Sequence, residues 1–287
     1  MQAAKHWKDY SLIDCGDGEK LERWGDCVLI RPDPQALWPR AKPELWERAD
    51  AHYVRSREGG GAWHKRTELP GEWEIRYRDL RFFVRPTDFK HTGLFPEQAV
   101  NWDWLRSIIK KSNREISILN LFAYTGAATV AALAEGSASV CHVDAAKGMV
   151  RWAERNLSLN GLRDRGIRFI TDDVLAFTER EERRGRRYDA IIIDPPAFGR
   201  GSQGETWKLE RDLPALLSIC NALLSERPLF VQINGYAAGY SDRVYANLLQ
   251  TLIAPSRKGH IESDAIGLAS ESGLVLPCGV YARWIAG

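Results

Sequence analysis

The chain has 287 residues, with 40 Lys and Arg against 38 Asp and Glu and a formal net charge of +2. That length suits one large core or two domains of unequal size, and near-neutrality argues against a protein held to nucleic acid by bulk charge alone. No apolar run approaches the roughly 18 residues of a membrane span, the N-terminus has no apolar signal region, and the scattered Cys15, Cys27, Cys141, Cys220 and Cys278 form no C-x-x-C pair, so the expectation is a cytoplasmic, metal-free chain with reduced thiols.

Residues 1–85 read as a small β-rich domain. Gly16-Asp17-Gly18 is a turn, and Cys27 to Arg31 is a short strand ended by Pro32 and Pro34. A short helix fits between Pro39 and Asp50. Gly59-Gly60-Gly61 joins Ala51–Arg55 to Ala62–Arg66 as a hairpin. Trp73 to Arg78 alternates apolar and charged residues, which puts Arg76 and Arg78 on one face, opposite Ile75 and Tyr77. Leu80 to Arg85 pairs back on it. Eight of the eleven tryptophans lie before residue 105. They serve as core anchors or, interleaved with Arg55, Arg57, Lys65 and Arg66, as base-stacking groups.

Residues 86–287 read as an α/β domain. Pro86 to Gln98 is a connector, and Val100 to Ile109 has helical spacing. Ile116 to Leu121 is a buried strand, followed by the turn Phe122-Ala123-Tyr124-Thr125-Gly126. An Ala-rich helix runs from Ala127 to Glu135 and closes at Gly136. Ser139 to Val143 is the second strand and ends in Asp144. Strand, glycine turn, helix and a strand with a terminal acid make the βαβ pattern of a nucleotide site, where the acid accepts from ribose hydroxyls. Only Gly126 of the dinucleotide glycines is present. The bulky turn suits a ligand without phosphates, and S-adenosylmethionine is one. Lys147 to Leu159 is an amphipathic helix stopped by Asn160-Gly161. Ile167 to Ile170 is a third strand, with Asp172-Asp173-Val174 after it. Glu179, Glu181 and Glu182 pair along a helix with Arg180, Arg183 and Arg184. Ala190 to Ile193 is a fourth strand that runs into Asp194-Pro195-Pro196-Ala197-Phe198, where two prolines stiffen the exit. Gly199 to Trp207 is glycine-rich and reads as a substrate lid. A helix from Leu213 to Leu224, a fifth strand Leu229 to Asn234, a helix from Arg243 to Ile253, and strands near Ile261–Leu268 and Val280–Ile285 complete the chain.

Leu119 to Gly126, Val143-Asp144-Ala145, Asp172-Asp173-Val174 and Asp194 to Phe198 resemble, in order, the motifs of a class I S-adenosylmethionine-dependent methyltransferase. With His91 to Gln98, they resemble in particular the bacterial branch that methylates cytosine and guanine in large-subunit ribosomal RNA. The resemblance implies a Rossmann-like sheet of seven strands, the last antiparallel, with helices on both faces, behind the small β-rich N-terminal domain. It implies S-adenosylmethionine as cofactor and S-adenosylhomocysteine as product. Its cofactor contacts fall on Thr92, Phe95, Asn120, Phe122, Tyr124, Thr125, Gly126, Asp144, Ala145, Asn156, Asp172, Asp173 and Val174. Catalysis falls to Asp194, Pro195, Pro196 and Phe198, and substrate binding to Lys90, Asn234 and Tyr236.

Asp194 can accept a hydrogen bond from a nitrogen, and Phe198 can stack on a base taken out of its helix. Cytosine carbon 5 is a poor nucleophile and needs a cysteine thiolate to activate it. In the cytosine-modifying relatives that cysteine follows the fifth strand, and here the place reads Ile233-Asn234-Gly235-Tyr236. The reading is therefore methylation of a nitrogen of an RNA base, with ribosomal RNA the favoured partner. The alternatives are a small-molecule or protein methyltransferase and a non-catalytic nucleotide-binding module.

Overall fold

The computed structural model describes residues 1–56, 60–201, 204–236 and 239–287. Arg57 and Gly59 of the first basic hairpin, and Ser202 and Gln203 of the glycine-rich segment, lie outside the described residues. The chain forms two compact units, one of Met1–Val100 with Ile266–Cys278, the other of Asn101–Ala265 with Gly279–Gly287.

The first unit holds β1 (Gln2–Ala3), β2 (Tyr10–Gly16), β3 (Glu19–Trp24), β4 (Cys27–Pro32), α1 (Pro43–Trp46), β5 (Ala51–Arg55), β6 (Gly61–Lys65), β7 (Trp73–Tyr77) and β8 (Leu80–Val84). A five-stranded sheet runs β2-β3-β4-β5-β6, and β7-β8 forms a separate hairpin. Asp17 and Gly18 close the β2–β3 hairpin with φ of 54° and 76°. Positive φ at both central residues gives the turn whose twist matches the strands. β2 and β3 were not legible as strands, because a register shift lies between Leu12 and Asp14 and charged residues point inward. Glu22 is wholly buried, and Arg31 donates to it through Nε at 2.6 Å and Nη2 at 2.8 Å. The Tyr10 hydroxyl donates to the same carboxylate at 2.8 Å.

The β7–β8 hairpin differs from expectation at its tip. Arg78 has φ of 52° and lies in the turn, with its guanidinium 5.8 Å from the Tyr77 ring centroid, so it does not share a strand face with Arg76. Ile75 and Tyr77 are buried as expected. Arg76 Nε donates to Asp9 at 2.7 Å, and Arg81 Nε donates to Glu74 at 2.6 Å.

The second unit is built from α2 (Ala99–Ser112), β9 (Ile116–Leu121), α3 (Ala127–Leu133), β10 (Ala138–Asp144), α4 (Lys147–Leu159), β11 (Ile167–Thr171), α5 (Val174–Arg183), β12 (Ala190–Ile193), β13 (Phe198–Arg200), β14 (Thr206–Lys208), α6 (Leu209–Leu223), β15 (Phe230–Gly235), α7 (Asp242–Leu252), β16 (Gly259–Ala269) and β17 (Val275–Ala286). The sheet order is β1-β16-β17-β15-β12-β9-β10-β11. β9, β10, β11, β12 and β15 are parallel, while β17 runs antiparallel to β15. The two-residue β1 pairs with Ile266 and Gly267 of β16, which belong to the first unit, and the other strands are the seven expected.

Alternation sends the strand residues to two different faces. Leu119, Leu121, Cys141, Val143, Ile191, Ile193, Val231 and Ile233 join Leu213, Leu216, Leu217 and Cys220 of α6 in one apolar cluster. The intervening positions form a buried row across the sheet. His142 pairs with Asn120, Asn120 with Ile192, Ile192 with Gln232, and Gln232 with Arg283. Polar groups there must bond one another. Asn120 donates to Thr129 Oγ1 at 3.0 Å, and that hydroxyl lies 3.0 Å from His142 Nδ1. Arg283 donates to Gln232 at 2.9 Å, to Glu262 at 2.9 Å and to Asn101 at 2.5 Å. Its guanidinium stands 4.0 Å from the Trp104 ring centroid and 3.9 Å from that of Tyr281.

Two outcomes follow from these buried charges. Arg283→Met strands the oxygens of Gln232 and Asn101, and urea unfolding should lose about 3 kcal/mol or more. For Glu22, burial pushes the carboxyl up, but the Arg31 and Lys20 charges and the donated hydrogen bonds outweigh it and bring it from 4.5 to about 2. A depressed carboxyl stabilises the fold above its unfolded value and loses that contribution as pH falls through the folded one. The urea midpoint of the parent should therefore fall between about pH 4.5 and 2 more steeply than that of Glu22→Gln.

Candidate functional site

The turn after β9 is held in a conformation that side chains avoid. Phe122, Tyr124 and Gly126 have φ of 54°, 50° and 82°. Left-handed backbone costs of order 1–3 kcal/mol at a non-glycine residue and persists only where the surroundings over-determine it. They do so here. Asp144, at the end of β10, accepts from the Tyr124 N–H at 2.9 Å through one oxygen and from the Ala146 N–H at 2.8 Å through the other. Ala123 N–H donates to the Val143 carbonyl at 3.0 Å. Asn156, wholly buried on α4, donates to the Thr125 carbonyl at 2.9 Å. Gly126 precedes α3, and a Cβ there would lie 2.7 Å from that of Ala153. Glycine thus provides both the positive φ and the close approach of α4.

Asp144 stays partly exposed, with Ala145 beside it. Burial raises its pKa even though the two N–H donors act to lower it. Beneath the turn, burial holds His142 down to about 3, so the imidazole is neutral and its Nδ1 faces Thr129.

The acids after β11 have separate employment. Asp173 caps α5 by accepting from the Ala176 N–H at 2.9 Å, and Val174 is buried. Asp172 accepts from the Asp173 N–H at 2.9 Å and is bridged by the Arg180 guanidinium. Arg180, read from sequence as part of a solvated helix face, thereby reaches a motif carboxylate.

At the end of β12 the Asp194 N–H donates to the Leu121 carbonyl at 3.3 Å, continuing the β12–β9 register by one residue. The prolines carry the chain outward, and Phe198 is 53% exposed. The glycine-rich segment, expected as a lid, frames a small hairpin. β13 pairs with β14 through Phe198–Lys208, Gly199–Trp207 and Arg200–Thr206. Trp207 is the residue that sequence reasoning left without a role. Its Nε1 donates to the Pro196 carbonyl at 2.7 Å, and its ring centroid lies 4.8 Å from that of Phe122. It ties the Asp-Pro-Pro segment to the strained turn. A lone tryptophan two residues ahead of a helix was the available signal, and only hairpin pairing gives it meaning.

Of the residues assigned to substrate, Asn234 is interior. Its Oδ1 accepts from Asn101 at 3.0 Å and Gln232 at 3.1 Å, so it belongs to the polar row. Tyr236 is partly exposed and packs where Gly279 lacks a side chain, 3.1 Å from the position a Cβ would take. Lys90, Thr92 and Phe95 belong to the first unit. Thr92 is wholly buried, with no hydrogen-bond partner for its hydroxyl among the described residues. The Lys90 carbonyl accepts from Arg31 at 3.1 Å. The Phe95 ring lies 5.4 Å from His91, which burial and the neighbouring Arg31 and Lys90 charges hold at about 4, uncharged at neutral pH.

The family model for S-adenosylmethionine-dependent methyltransferases matches residues 51–241. The chain belongs to that family. Its methyl donor is therefore S-adenosylmethionine. Across its whole length the chain is similar to the crystal structure of the SAM-dependent methyltransferase from Agrobacterium tumefaciens, at 37% identity, a TM-score of 0.93 and 93% coverage of that chain. The fold is shared with SMU.776, crystallised with S-adenosylhomocysteine, at 22% identity and a TM-score of 0.75 over 98% of this chain and 76% of that one. Two curated relatives are both "Ribosomal RNA large subunit methyltransferase K/L". The protein of Syntrophotalea carbinolica is 34% identical over 64% of this chain and 25% of its own length. That of Methylococcus capsulatus is 36% identical over 62% and 22%. The matches span about a quarter of those relatives. No helix among the described residues is long and apolar enough to cross a membrane.

The turn geometry yields a direct test. Gly126→Ala must adopt positive φ and meet Ala153, so S-adenosylmethionine affinity measured by calorimetry should fall about tenfold or more. An unchanged affinity would mean that the turn tolerates relaxation and that its strain does not matter to binding.

Proposed function

We propose that this methyltransferase acts on a nitrogen of an RNA base, with ribosomal RNA as the substrate class. The observation that carries this reading is Asp194 at the end of the central strand β12, followed by two prolines and an exposed aromatic ring. The two ribosomal RNA methyltransferases among its relatives support the choice of RNA.

The cofactor supplies an electrophilic methyl group for in-line displacement, and the protein orients the nucleophile. In this reading Asp144 accepts from the ribose hydroxyls, and Phe122, Tyr124, Thr125 and Gly126 line the amino-acid and ribose side. Asp172, Asp173 and Val174 border the adenine. Asp194 accepts from the N–H of the base that receives the methyl group, and Phe198 stacks on that base. Lys90, Thr92, Phe95 and Tyr236 remain proposed contacts. Asn234 is better read as the support beneath the acceptor site, since its oxygen is already bonded twice.

Thiolate chemistry has no support. Burial raises the thiols of Cys15, Cys27 and Cys278. Burial raises Cys141 to about 11, and it raises the wholly buried Cys220 further. Neither Cys141 nor Cys220 lies at the end of β12 or β15. Each cysteine changed singly to Ser should therefore retain methyl transfer within a few-fold, and recovery of 5-methylcytosine as product would overturn this.

A second reading, a small-molecule or protein acceptor, draws on the first unit. Arg76 is ion-paired with Asp9, and Arg81 with Glu74. The deciding experiment incubates whole-cell RNA from a deletion strain with the protein and methyl-labelled cofactor, then identifies nucleosides by mass spectrometry. We expect an N-methylated base in large-subunit ribosomal RNA. Label in the protein or small-molecule fraction, with none in RNA, selects the second reading. Asp144→Ala should weaken cofactor affinity by about ten- to a hundred-fold, since it removes a charged acceptor worth roughly 1.5–3 kcal/mol.

A further inference from the structure

Tyr245 on α7 is 2% exposed. Its ring packs directly on Gly235, the last residue of β15. A Cβ on Gly235 would lie 2.4 Å from Tyr245 Cε2 and 2.7 Å from its hydroxyl oxygen. No larger residue leaves room for the phenol there. Ile193 of β12 pairs with Ile233 of β15, so Asp194 comes level with Asn234, and Gly235 follows one residue later at the same end of the sheet. The hydroxyl therefore sits at the carboxyl end of the two strands that border the proposed acceptor site.

That hydroxyl is shielded from solvent and has no hydrogen-bond partner among the described residues. Burial, and then the fields of Tyr240 and Asp194, raise it to about 12, so it keeps its proton at working pH. Of these two neighbours Asp194 is the carboxylate. Tyr240 meets the Tyr245 ring edge-on at 6.5 Å and is itself 39% exposed. A buried donor left unmade is costly in a native structure, and such cases cluster where a ligand or a working state completes the bond.

We infer that Tyr245 is a positioning residue for methyl transfer. Its hydroxyl donates to the Asp194 carboxylate in the working enzyme and turns the other carboxylate oxygen toward the acceptor N–H. The inference rests on the reading of Asp194 as the acceptor-facing carboxylate. Tyr245 touches neither cofactor nor acceptor in this scheme. It restricts the rotation of the group that does.

The test compares parent, Tyr245→Phe, Asp194→Asn and the double variant, with whole-cell RNA of the deletion strain and methyl-labelled S-adenosylmethionine. Tyr245→Phe removes one unpaired oxygen and keeps the ring on Gly235, so folding and cofactor affinity should be unchanged. Its kcat should fall about tenfold with KM within about twofold, as for an interaction made only in the transition state. In the Asp194→Asn background the same change should have no further effect, because the two residues act as one unit. A readout free of the acceptor is the carbon-13 resonance of the Asp194 carboxyl with S-adenosylhomocysteine bound, assigned by its loss in Asp194→Asn. Loss of the donor should raise its titration midpoint by about one unit. An unmoved midpoint, or a kcat effect of equal size in both backgrounds, overturns the inference. Full activity in Asp194→Asn instead sinks the Asp194 reading and takes the Tyr245 proposal with it.

Discussion

The second unit depends on the two hydrogen bonds that Asp144 accepts from the Tyr124 and Ala146 N–H groups. A carboxylate at the end of one strand fastens the turn that leaves its neighbour. The turn needs fastening because Phe122 and Tyr124 both hold positive φ, which their side chains oppose. Asn156 and the close fit of Gly126 on Ala153 supply the remaining constraints. Strain in the turn is thus balanced by contacts from one helix, α4, and the end of one strand, β10. One carboxylate both builds the turn and stays partly open to a ligand.

The sheet carries this arrangement on two unlike faces. One is apolar and packs against α6. The other carries His142, Asn120, Gln232 and Arg283 in register, each bonded to a neighbour or an adjoining helix. Buried polar groups are expensive unless paired, and paired ones fix a single arrangement. Asn120–Thr129–His142 sets α3 under the strained turn. Asn101–Asn234–Gln232–Arg283 sets β15 beside β17 and α2. The strand ends that carry Asp144, Asp194 and Gly235 therefore stand on rigid supports. Trp207, bonded to Pro196 and packed on Phe122, links the exit of β12 to the turn after β9.

The first unit uses the same physics differently. Its core is aromatic, with Trp24, Tyr10 and Tyr77 buried, and it encloses an ion pair, Glu22 with Arg31. The arginines that looked from sequence like a basic surface are partly consumed inside the unit. Asp9 holds Arg76 and Glu74 holds Arg81. A count of basic residues in a stretch overstates the free charge whenever acids elsewhere in the chain fold back onto it.

Apart from the β13–β14 hairpin, the sequence by itself determined the strands and helices of the second unit, because β-branched runs and amphipathic periods there are local signals. It also marked Gly126, Asp144 and the Asp194-Pro195-Pro196 exit, since a positive-φ turn, a strand-end acid and a double proline each have a residue signature. The tertiary structure decided what is not local. Strands β2 and β3 escaped notice because their inward charges take partners from outside the two strands, Arg31, Trp46 and Lys42 among them. Asn234 looked like a ligand contact and is a core acceptor, since its partners lie 133 residues away and across a strand pleat. Arg180 and Trp207 gained their roles through a helix turn and a hairpin that bring them back to the motifs. Periodicity reports which side of an element faces inward, but the partner waiting there is chosen by packing between distant parts of the chain.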